Sequence, residues 1–143
     1  MGQALKTLVF ERTVPFGHCD PAGILYTPRA LDLCLEAIDD FWKTILDGNG
    51  WFELTTELDR GSPFVNVNID FRNPMTAKFP ITVELDLAKL GSTSVVFQLR
   101  TFQENKLCFE ASLTCVLVIN SRLEKVSQDD WFRKKIANQL GVS

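Results

Sequence analysis

The sequence has few of the residues on which metal, redox and nucleic-acid chemistry depend. Its one histidine is His18, and none of its four cysteines stands in a Cys-x-x-Cys spacing, so the usual ligands of a zinc site are missing. One histidine without a serine nucleophile elbow also argues against a Ser-His-Asp triad. The net charge of −3 offers no basic surface for nucleic acid. We therefore expect neither a metal site nor a nucleic-acid partner.

Long apolar segments are also missing. No run approaches the length of a membrane-spanning helix, and the first residues lack the apolar core of a signal peptide. Free cysteines such as Cys34 and Cys115, both on apolar faces, suit a reducing compartment. The sequence therefore predicts a cytoplasmic protein without a membrane partner.

The chain does have enough apolar material for one core. Its 143 residues are 45% hydrophobic and include eleven phenylalanines and three tryptophans. Neither an internal repeat nor a linker divides it. This length and content predict a single domain over residues 1–143, with a bulky core, an oligomer interface, or both.

Hydrophobic periodicity predicts a strand and then a long helix in the first third of the chain. Residues 5–16 alternate as a half-buried strand, although Arg12 lies on its apolar side. Residues 28–47 have helical periodicity with an apolar arc that is wider than a flat core requires. Residues 51–61 form a connector with room for a short helix.

Four further strands follow, and a short helix ends the chain. The strands alternate with period two over residues 64–71, 81–87, 94–103 and 106–119. Short turns at Gly91-Ser92 and Glu104-Asn105 favour antiparallel pairing. A motif similar to a capping box at residues 127–130 predicts a final helix through Gln139.

This order of elements predicts an α+β fold. One antiparallel sheet of about five strands, curved around the long central helix, is the economical way to bury that helix. Such a sheet leaves an unpaired edge and a partly apolar outer face, which favours a homodimer or homotetramer.

The segment 16–28 places one carboxylate, Asp20, in a tight loop between the first strand and the helix. Glycine and proline residues around it fix turns that ordinary residues resist. Thr27 is the predicted N-cap and Pro28 the first helical residue. Amide N–H groups at a helix start lack intrahelical partners. A carboxylate beside such donors can attack a carbonyl while the amides hold the developing oxyanion.

The sequence Gly-His-Cys-Asp-Pro-Ala-Gly-Ile at residues 17–24, between a strand and a long helix, resembles the 4-hydroxybenzoyl-CoA thioesterase family of hotdog-fold proteins. The chain length, the order of elements and the Gly-Ser-Thr-Ser turn at residues 91–94 are similar to that family as well. The resemblance covers about residues 5 to 125.

The resemblance implies a hotdog fold, working as a dimer or a dimer of dimers with two active sites at each dimer interface. The implied reaction is hydrolysis of an acyl-CoA thioester to a free acid and CoA, with no cofactor other than the CoA of the substrate. Asp20 matches the catalytic carboxylate, acting as nucleophile or general base. The backbone N–H of Thr27 matches the group that polarises the thioester carbonyl, and Pro21 and Tyr26 are expected to line the site.

Further residues match the substrate-binding parts of the family. Ser62 and Pro63 match a loop that approaches the acyl group from the neighbouring subunit, and Phe64 is a candidate cap of the acyl pocket. Leu35 stands where some members place an acidic residue that meets a ring hydroxyl. Since Leu cannot accept that hydrogen bond, we expect an aromatic or a short-to-medium aliphatic acyl group other than 4-hydroxybenzoyl.

The expected CoA phosphate site is weak. Some relatives carry a basic cluster at the turn where this chain has Ser92 and Thr93, with only Lys89 nearby. Hydroxyl and backbone donors bind phosphate less strongly than Arg or Lys does. Additional cations could come from Arg72, Arg100 or Arg122.

The sequence leaves several alternatives open for the roles of individual residues. Asp20 could merely organise its loop through an Asx turn. His18 is interpreted as a spectator or an orienting residue, and Cys19 as a packed residue. Asp32, Asp39 and Asp40 are interpreted as a solvated helix face, and Glu36 has a small chance of reaching the site.

Trp51, Phe52 and Phe64 suit a cap of the acyl pocket and ordinary packing about equally. At the level of the whole protein, the alternatives to an acyl-CoA thioesterase are a non-catalytic acyl-CoA binding module and an acyl carrier protein thioesterase. A hydroxyacyl thioester dehydratase ranks last because its histidine motif is missing.

Overall fold

The computed structural model describes residues 5–127 and 130–141 of the chain. The strands are β1 Leu8–Arg12, β2 Arg60–Gly61, β3 Phe64–Phe71, β4 Ile81–Leu90, β5 Ser94–Gln103, β6 Lys106–Val116, β7 Val118–Ile119 and β8 Glu124–Lys125. The helices are α1 Arg29–Ile45, α2 Trp51–Thr56 and α3 Asp130–Leu140, with a short 3-10 turn at Phe16–His18.

One antiparallel sheet of five strands dominates the fold, in the order β1-β4-β5-β6-β3. The longest strands form consecutive hairpins, so that Leu85 lies opposite Leu99 and Leu99 opposite Ala111. A second, small sheet has the order β2-β7-β8. The α+β class and the five-stranded sheet predicted from the alternation are confirmed.

Helix α1 lies in the hollow of this sheet and supplies the centre of the core. Its inward residues are buried over the full length of the helix, as the wide apolar arc predicts: Ala30, Leu33, Cys34, Ala37, Ile38, Phe41, Trp42 and Ile45. Phe41 packs edge-on against Phe97 of β5, with ring centroids 5.0 Å apart. Trp42 contacts Phe132 of α3 on another side, at 5.6 Å. Burying each such side chain contributes about 2–3 kcal/mol relative to an exposed position.

Arg12, the apparent exception in the first strand, is explained by α1. Its guanidinium forms ion pairs with Asp40 and, at 3.8 Å, with Glu36, both on the polar side of the helix. It also lies 5.6 Å from the ring centroid of Phe10. The cation therefore joins β1 to α1 at the rim of the core.

The ends of the first elements differ from the predicted ones. β1 ends at Arg12 because the chain turns at Pro15, whose carbonyl accepts the His18 N–H at 2.9 Å. Helix α1 starts after Pro28, which has helical backbone angles and is itself the N-cap. The predicted Thr27 cap is therefore wrong, and no side chain of the described residues caps the start of this helix. At its other end α1 stops at Ile45, where Gly48, with φ of 96°, donates its N–H to the Lys43 carbonyl at 2.7 Å.

Later elements also differ in detail. β4 continues to Leu90, three residues beyond the predicted strand, and the predicted strand 106–119 is divided at Leu117, whose N–H bonds to the Thr93 carbonyl. The predicted turn at Glu104-Asn105 is confirmed, because both residues have positive φ, as in a type I′ hairpin. The predicted capping box at 127–130 includes residues that lie outside the described ones.

Asp39, expected on a solvated face, instead orients the short helix α2. Its Oδ1 accepts the N–H of Trp51 at 2.8 Å, and its Oδ2 pairs with Lys43 at 3.2 Å. The Gly50 N–H donates to Glu53 at 3.0 Å. A Cβ at Gly50 would stand 2.6 Å from Asp39 Oδ1, so a larger residue here would displace that carboxylate. These contacts fix the position of Trp51.

Candidate active site

The loop between β1 and α1 folds into a miniature hairpin with Asp20 at its tip. Cys19 bridges to Leu25, and the Asp20 N–H donates to the Ile24 carbonyl at 2.8 Å. The Gly23 N–H returns to the Asp20 carbonyl at 2.9 Å, with Gly23 at φ of 82°, a conformation that favours glycine. The glycine and the short turn identified in the sequence thus hold Asp20 in place.

Only one oxygen of the Asp20 carboxylate is used by the loop. Oδ1 accepts the N–H of Ala22 at 2.9 Å and that of Ile24 at 3.4 Å, which is the geometry of an Asx turn. Oδ2 has no hydrogen-bond partner among residues 5–127 and 130–141, and the residue is half-buried. The loop-organising interpretation therefore describes one oxygen and leaves the other available for chemistry.

The Thr27 amide differs from the amides before it. The Leu25 N–H donates to the Met75 carbonyl at 2.8 Å, and the Tyr26 N–H donates to the His18 carbonyl at 2.9 Å. The Thr27 N–H has no acceptor in the part of the chain that the structure describes, and Pro28 after it has no N–H. One free donor thus stands at the start of α1, where the helix dipole is positive.

A cavity of about 410 Å³, here called the loop cavity, lies beside this donor. Its wall is formed by Ile24, Leu25, Thr27, Phe71, Arg72, Asn73, Pro74, Met75 and Phe109. Its size is that of a small-molecule site, and most of its side chains are apolar. The predicted lining residues Pro21 and Tyr26 are exposed and lie outside this wall, as does Asp20.

The predicted substrate-loop residues cluster around Trp51. The indole Nε1 donates to Ser62 Oγ at 2.6 Å, and the Trp51 ring meets the Phe64 ring edge-on at 5.8 Å. Ser62 is buried, whereas Pro63 is exposed. Next to them a second cavity of about 490 Å³, here called the helix cavity, lies between α1 and α2. Its wall is formed by Leu35, Glu36, Asp39, Lys43, Gly50, Trp51, Phe52 and Glu53.

The predicted phosphate-binding residues lie on the turn between β4 and β5. Lys89 and Ser92 are exposed, and the Thr93 carbonyl accepts the Leu117 N–H at 2.8 Å. Helix α3 adds a cation here, because the Arg133 guanidinium donates to the Gly91 carbonyl at 3.2 Å. Sequence reasoning missed Arg133, since nothing in its local pattern places it beside a turn some forty residues earlier in the chain.

The other arginines considered for this role already have acidic partners. Arg72 pairs with Glu110 at 3.3 Å. Arg100 pairs with Glu84 at 2.9 Å and with Asp86 at 3.7 Å. The nearest acidic partner of Arg122 is Glu124, at 3.6 Å.

Within one chain, the predicted site residues form two separate groups. Phe71, in the loop cavity, is at the end of β3, whereas Phe64 is at its start, opposite Cys115. Cys115 in turn lies opposite Val95, next to the turn that carries Ser92 and Thr93. A strand of this length spans about 25 Å. The chain by itself therefore does not bring Asp20 and Thr27 together with Ser62 or Lys89.

The remaining candidates add little chemistry to the loop. His18 contributes its carbonyl to the Tyr26 N–H, and its ring has no partner within the described residues. Cys19 is packed against the core, as expected. Glu36 faces Arg12 and the helix cavity. Over the described ranges, the structure contains neither a cluster of metal-ligating side chains nor a helix long and apolar enough to cross a bilayer.

The buried thiols predict a loss of stability in alkali. Burial raises the pKa of Cys34 and of Cys115 from an ordinary 9.0 to about 12. Each thiol therefore contributes stability that is complete below pH 9 and is lost as the pH rises toward 12. We expect the free energy of unfolding to fall by up to about 1.4 kcal/mol per pH unit for each thiol above that point.

Urea unfolding at a series of pH values from 8 to 10.5 tests this expectation. The Cys34→Ala variant should show a shallower decline than the wild type, because it lacks one of the buried thiols whose pKa is raised. Cys19→Ala is the matched control, since its thiol is half-buried. Equal slopes in all three proteins would contradict the proposed source of the alkaline loss.

An antiparallel sheet wrapped around one long helix is the hotdog architecture of α+β proteins. Residues 14–136 match the thioesterase-like superfamily. The chain belongs to that superfamily, which confirms the resemblance read from the sequence and the class of enzyme that it implied, a thioester hydrolase.

Curated relatives and solved structures agree with this assignment. A 1,4-dihydroxy-2-naphthoyl-CoA hydrolase of Crocosphaera subtropica is 29% identical over 101 residues, which cover 70% of this chain and 72% of that protein. A 1,4-dihydroxy-2-naphthoyl-CoA hydrolase of Picosynechococcus sp. is 30% identical over 99 residues, which cover 68% of this chain and 65% of that protein.

Among solved structures, a thioesterase superfamily protein from Jannaschia sp. has a TM-score of 0.89 at 29% identity, covering 99% of both chains. The 4-hydroxybenzoyl CoA thioesterase from Pseudomonas sp. has a TM-score of 0.81 at 20% identity, covering 91% of this chain and 99% of that one. At 20% identity, the similarity to the 4-hydroxybenzoyl CoA thioesterase shows the fold alone. The predicted hotdog fold is confirmed.

Proposed function

We propose that this protein hydrolyses an acyl-CoA thioester to a carboxylic acid and CoA, using Asp20 and the backbone N–H of Thr27. The observation that carries the proposal is a pair of free groups, one on the small hairpin and one just after it. Asp20 has an unpartnered carboxylate oxygen, and two positions after the hairpin closes Thr27 has an unpartnered amide at the wall of the loop cavity. The carboxylate supplies an attacking group, and the amide supplies a hydrogen-bond donor for the developing oxyanion.

The reaction can follow either of two routes. As a nucleophile, Asp20 forms a C–O bond to the thioester carbon, the C–S bond breaks, CoA leaves as thiolate, and water then hydrolyses the acyl-aspartyl anhydride. As a general base, Asp20 accepts a proton from water, the hydroxide attacks the carbonyl carbon, the C–S bond breaks, and the departing thiolate takes the proton from Asp20. In both routes the Thr27 N–H stabilises the oxygen that becomes negative. Neither route uses a resident cofactor.

The walls of the cavities support an apolar acyl group of modest size. Phe71 and Phe109 face the loop cavity, and Leu35, Trp51 and Phe52 face the helix cavity. The two curated relatives are named for a bicyclic aromatic acyl-CoA, which supports an aromatic substrate. A short-to-medium aliphatic chain is the other acyl group that these walls accept.

Contacts at the turn between β4 and β5 support binding of the CoA phosphates there. Lys89 has no ion-pair partner among the described residues, and the Arg133 guanidinium is held against the Gly91 carbonyl. Beside these two cations, Ser92 and Thr93 offer hydroxyl groups as further hydrogen-bond donors. Together they supply the charge-assisted donors that phosphate groups require.

A homodimer formed through β3 would unite the two groups of residues. β3 is at the edge of the five-stranded sheet and exposes Val65, Val67 and Phe71 at 62%, 43% and 49%. If two copies of β3 pair antiparallel, the Phe64 end of one lies beside the Phe71 end of the other. The partner's turn between β4 and β5 is then three strand spacings away, about 14 Å. The exposed edge and the separated residues both support this arrangement, in which each active site uses two subunits.

Release of CoA thiol from a panel of thioesters tests the proposal. The panel carries acetyl to dodecanoyl, benzoyl, 4-hydroxybenzoyl and phenylacetyl groups on CoA, with the preferred acyl group repeated on pantetheine and on an acyl carrier protein. We expect selective turnover of one acyl class on CoA, with 4-hydroxybenzoyl not preferred. Denatured protein is the control, because its own cysteines react with the disulfide reagent.

Two results of the panel would contradict the proposal. Binding without turnover of any thioester would identify a non-catalytic acyl-CoA module. Faster turnover on the carrier protein than on CoA would identify a carrier protein thioesterase, in which the cations near Gly91 have another role.

A further inference from the structure

Gln103 is a buried amide at the end of β5 that bonds three backbone groups. The residue is only 8% exposed. Its Oε1 accepts the Thr76 N–H at 3.0 Å, while its Nε2 donates to the carbonyls of Thr76 and Phe79, each at 2.8 Å. All three partners lie in the segment 72–80 that joins β3 to β4. A glutamine suits this place because it can accept and donate at once without carrying a charge.

The start of the same segment is tied to β6. The N–H groups of Arg72 and Asn73 donate to the Cys108 carbonyl at 2.7 and 3.1 Å. The Asn73 side chain donates to the Leu107 carbonyl at 2.7 Å. Between these ties and the Gln103 amide lies Met75, 3% exposed, so its backbone is held from both sides.

Met75 is the link to the candidate active site. Its carbonyl accepts the Leu25 N–H at 2.8 Å, and Leu25 is the residue that bridges to Cys19 and closes the Asp20 hairpin. Thr27 follows Leu25 by two residues. The segment 72–75 also forms one wall of the loop cavity. A shift of Met75 would therefore move the hairpin, the free amide and the cavity wall together.

We propose that Gln103 is a positioning residue for thioester hydrolysis, acting through Met75 and Leu25. The inference rests on the proposed function of Asp20 and Thr27. Gln103 itself is outside the wall of the loop cavity and does not meet the reacting atoms. Its contribution is to hold the Thr27 N–H and the Asp20 carboxylate at one separation, since a displacement of about 1 Å can cost up to about 100-fold in rate.

The experiment compares kinetics and amide exchange in Gln103→Met and Gln103→Glu. Met keeps the length of the side chain but removes all three hydrogen bonds, so we expect kcat on the preferred thioester to fall about 10- to 100-fold. KM should change less than about threefold, because the groups that bind CoA lie at the other end of the sheet. Exchange of the Leu25 amide should become at least about tenfold faster as its acceptor moves.

Gln103→Glu keeps the inference testable if the Met variant folds poorly. A carboxyl group buried at this position stays protonated, because burial disfavours its charge, and it then accepts one hydrogen bond and donates one. We expect its kcat and its Leu25 exchange rate to lie between those of the wild type and of Gln103→Met. This partial rescue is specific to the hydrogen bonds.

Two controls separate positioning from general stability. Gln98→Met makes the same change on the same strand but on the outer face of the sheet, and it should behave as the wild type. Ile45→Ala removes a fully buried side chain at the far end of α1, and it should lower the melting temperature without slowing turnover. All proteins are assayed well below their melting temperatures.

A kcat loss in Gln103→Met no larger than in Ile45→Ala would overturn the inference. Unchanged Leu25 exchange would overturn it independently of activity. A wild-type protein that hydrolyses none of the thioesters would instead refute the proposed function, and the exchange rates would still decide whether Gln103 holds the hairpin.

Discussion

Replacing Asp20 by Asn is expected to lower kcat for acyl-CoA hydrolysis by about 1,000-fold while changing KM less than about threefold. The neutral amide can neither attack the carbonyl carbon nor accept a proton from water. Its Oδ1 can still accept the Ala22 and Ile24 N–H groups that close the loop, so the hairpin should keep its shape. The loss is therefore chemical and leaves the fold in place.

Steady-state kinetics on the preferred thioester, with melting temperatures for both proteins, measure this effect. Glu11→Gln is the control for loss of a carboxylate, because Glu11 is exposed on β1, the edge of the sheet opposite to β3. It should retain wild-type kcat. Normal turnover by Asp20→Asn would refute the proposed chemistry, and a large drop in its melting temperature would contradict the expectation that the hairpin keeps its shape.

A single turnover in ¹⁸O-labelled water then separates the two routes. If Asp20 is the nucleophile, the label enters its carboxylate when water opens the anhydride at the aspartyl carbonyl carbon. If Asp20 is a general base, the label enters the product acid directly. Mass spectrometry of the peptide that contains Asp20 reads the difference.

Replacing Val67 by Arg is expected to convert the protein to a monomer and to lower kcat/KM at least about 100-fold. In the proposed dimer the two β3 strands pair near their middles, so the variant sets two like charges against each other and against apolar neighbours. The strand should stay folded, because its inner edge still pairs with β6. Activity is expected to fall because, in the proposed dimer, the partner supplies Ser62 and the turn proposed to bind phosphate to the site of Asp20.

Sedimentation velocity and kinetics on the same samples test this prediction. Val9→Arg makes the same substitution on β1, the opposite edge of the sheet, at a position that is 58% exposed. It should remain dimeric and active. A monomeric Val67→Arg protein with full activity would contradict the shared site, and a dimeric one would contradict the β3 interface.

Much of the fold could be predicted because its signals are local. Alternation identifies β4, β5 and β6, and the wide apolar arc of α1 anticipates a helix surrounded by a curved sheet. The ends of elements were less predictable. Pro28 takes the cap position that the pattern assigns to Thr27, because proline already has a helical φ and needs no hydrogen bond there.

The residues of the candidate site also fall into those that local sequence predicts and those that it does not. Asp20, Gly23 and Thr27 lie within eight residues, so turn chemistry and a family motif were enough to select them. The roles of Asp39, Gln103 and Arg133 had no sequence signal. Each depends on a contact with a residue at least 12 positions away, and such contacts are set by how the elements pack.

The sequence by itself determined the class of fold, the superfamily and the loop that carries the carboxylate, because each of these depends on periodicity or on neighbouring residues. Only the tertiary structure decided which Asp20 oxygen is free, which amide is unpartnered and which buried side chain holds the hairpin. The physical reason is that every backbone polar group inside the protein competes for partners across the whole fold, and the outcome is settled only when the strands are in register.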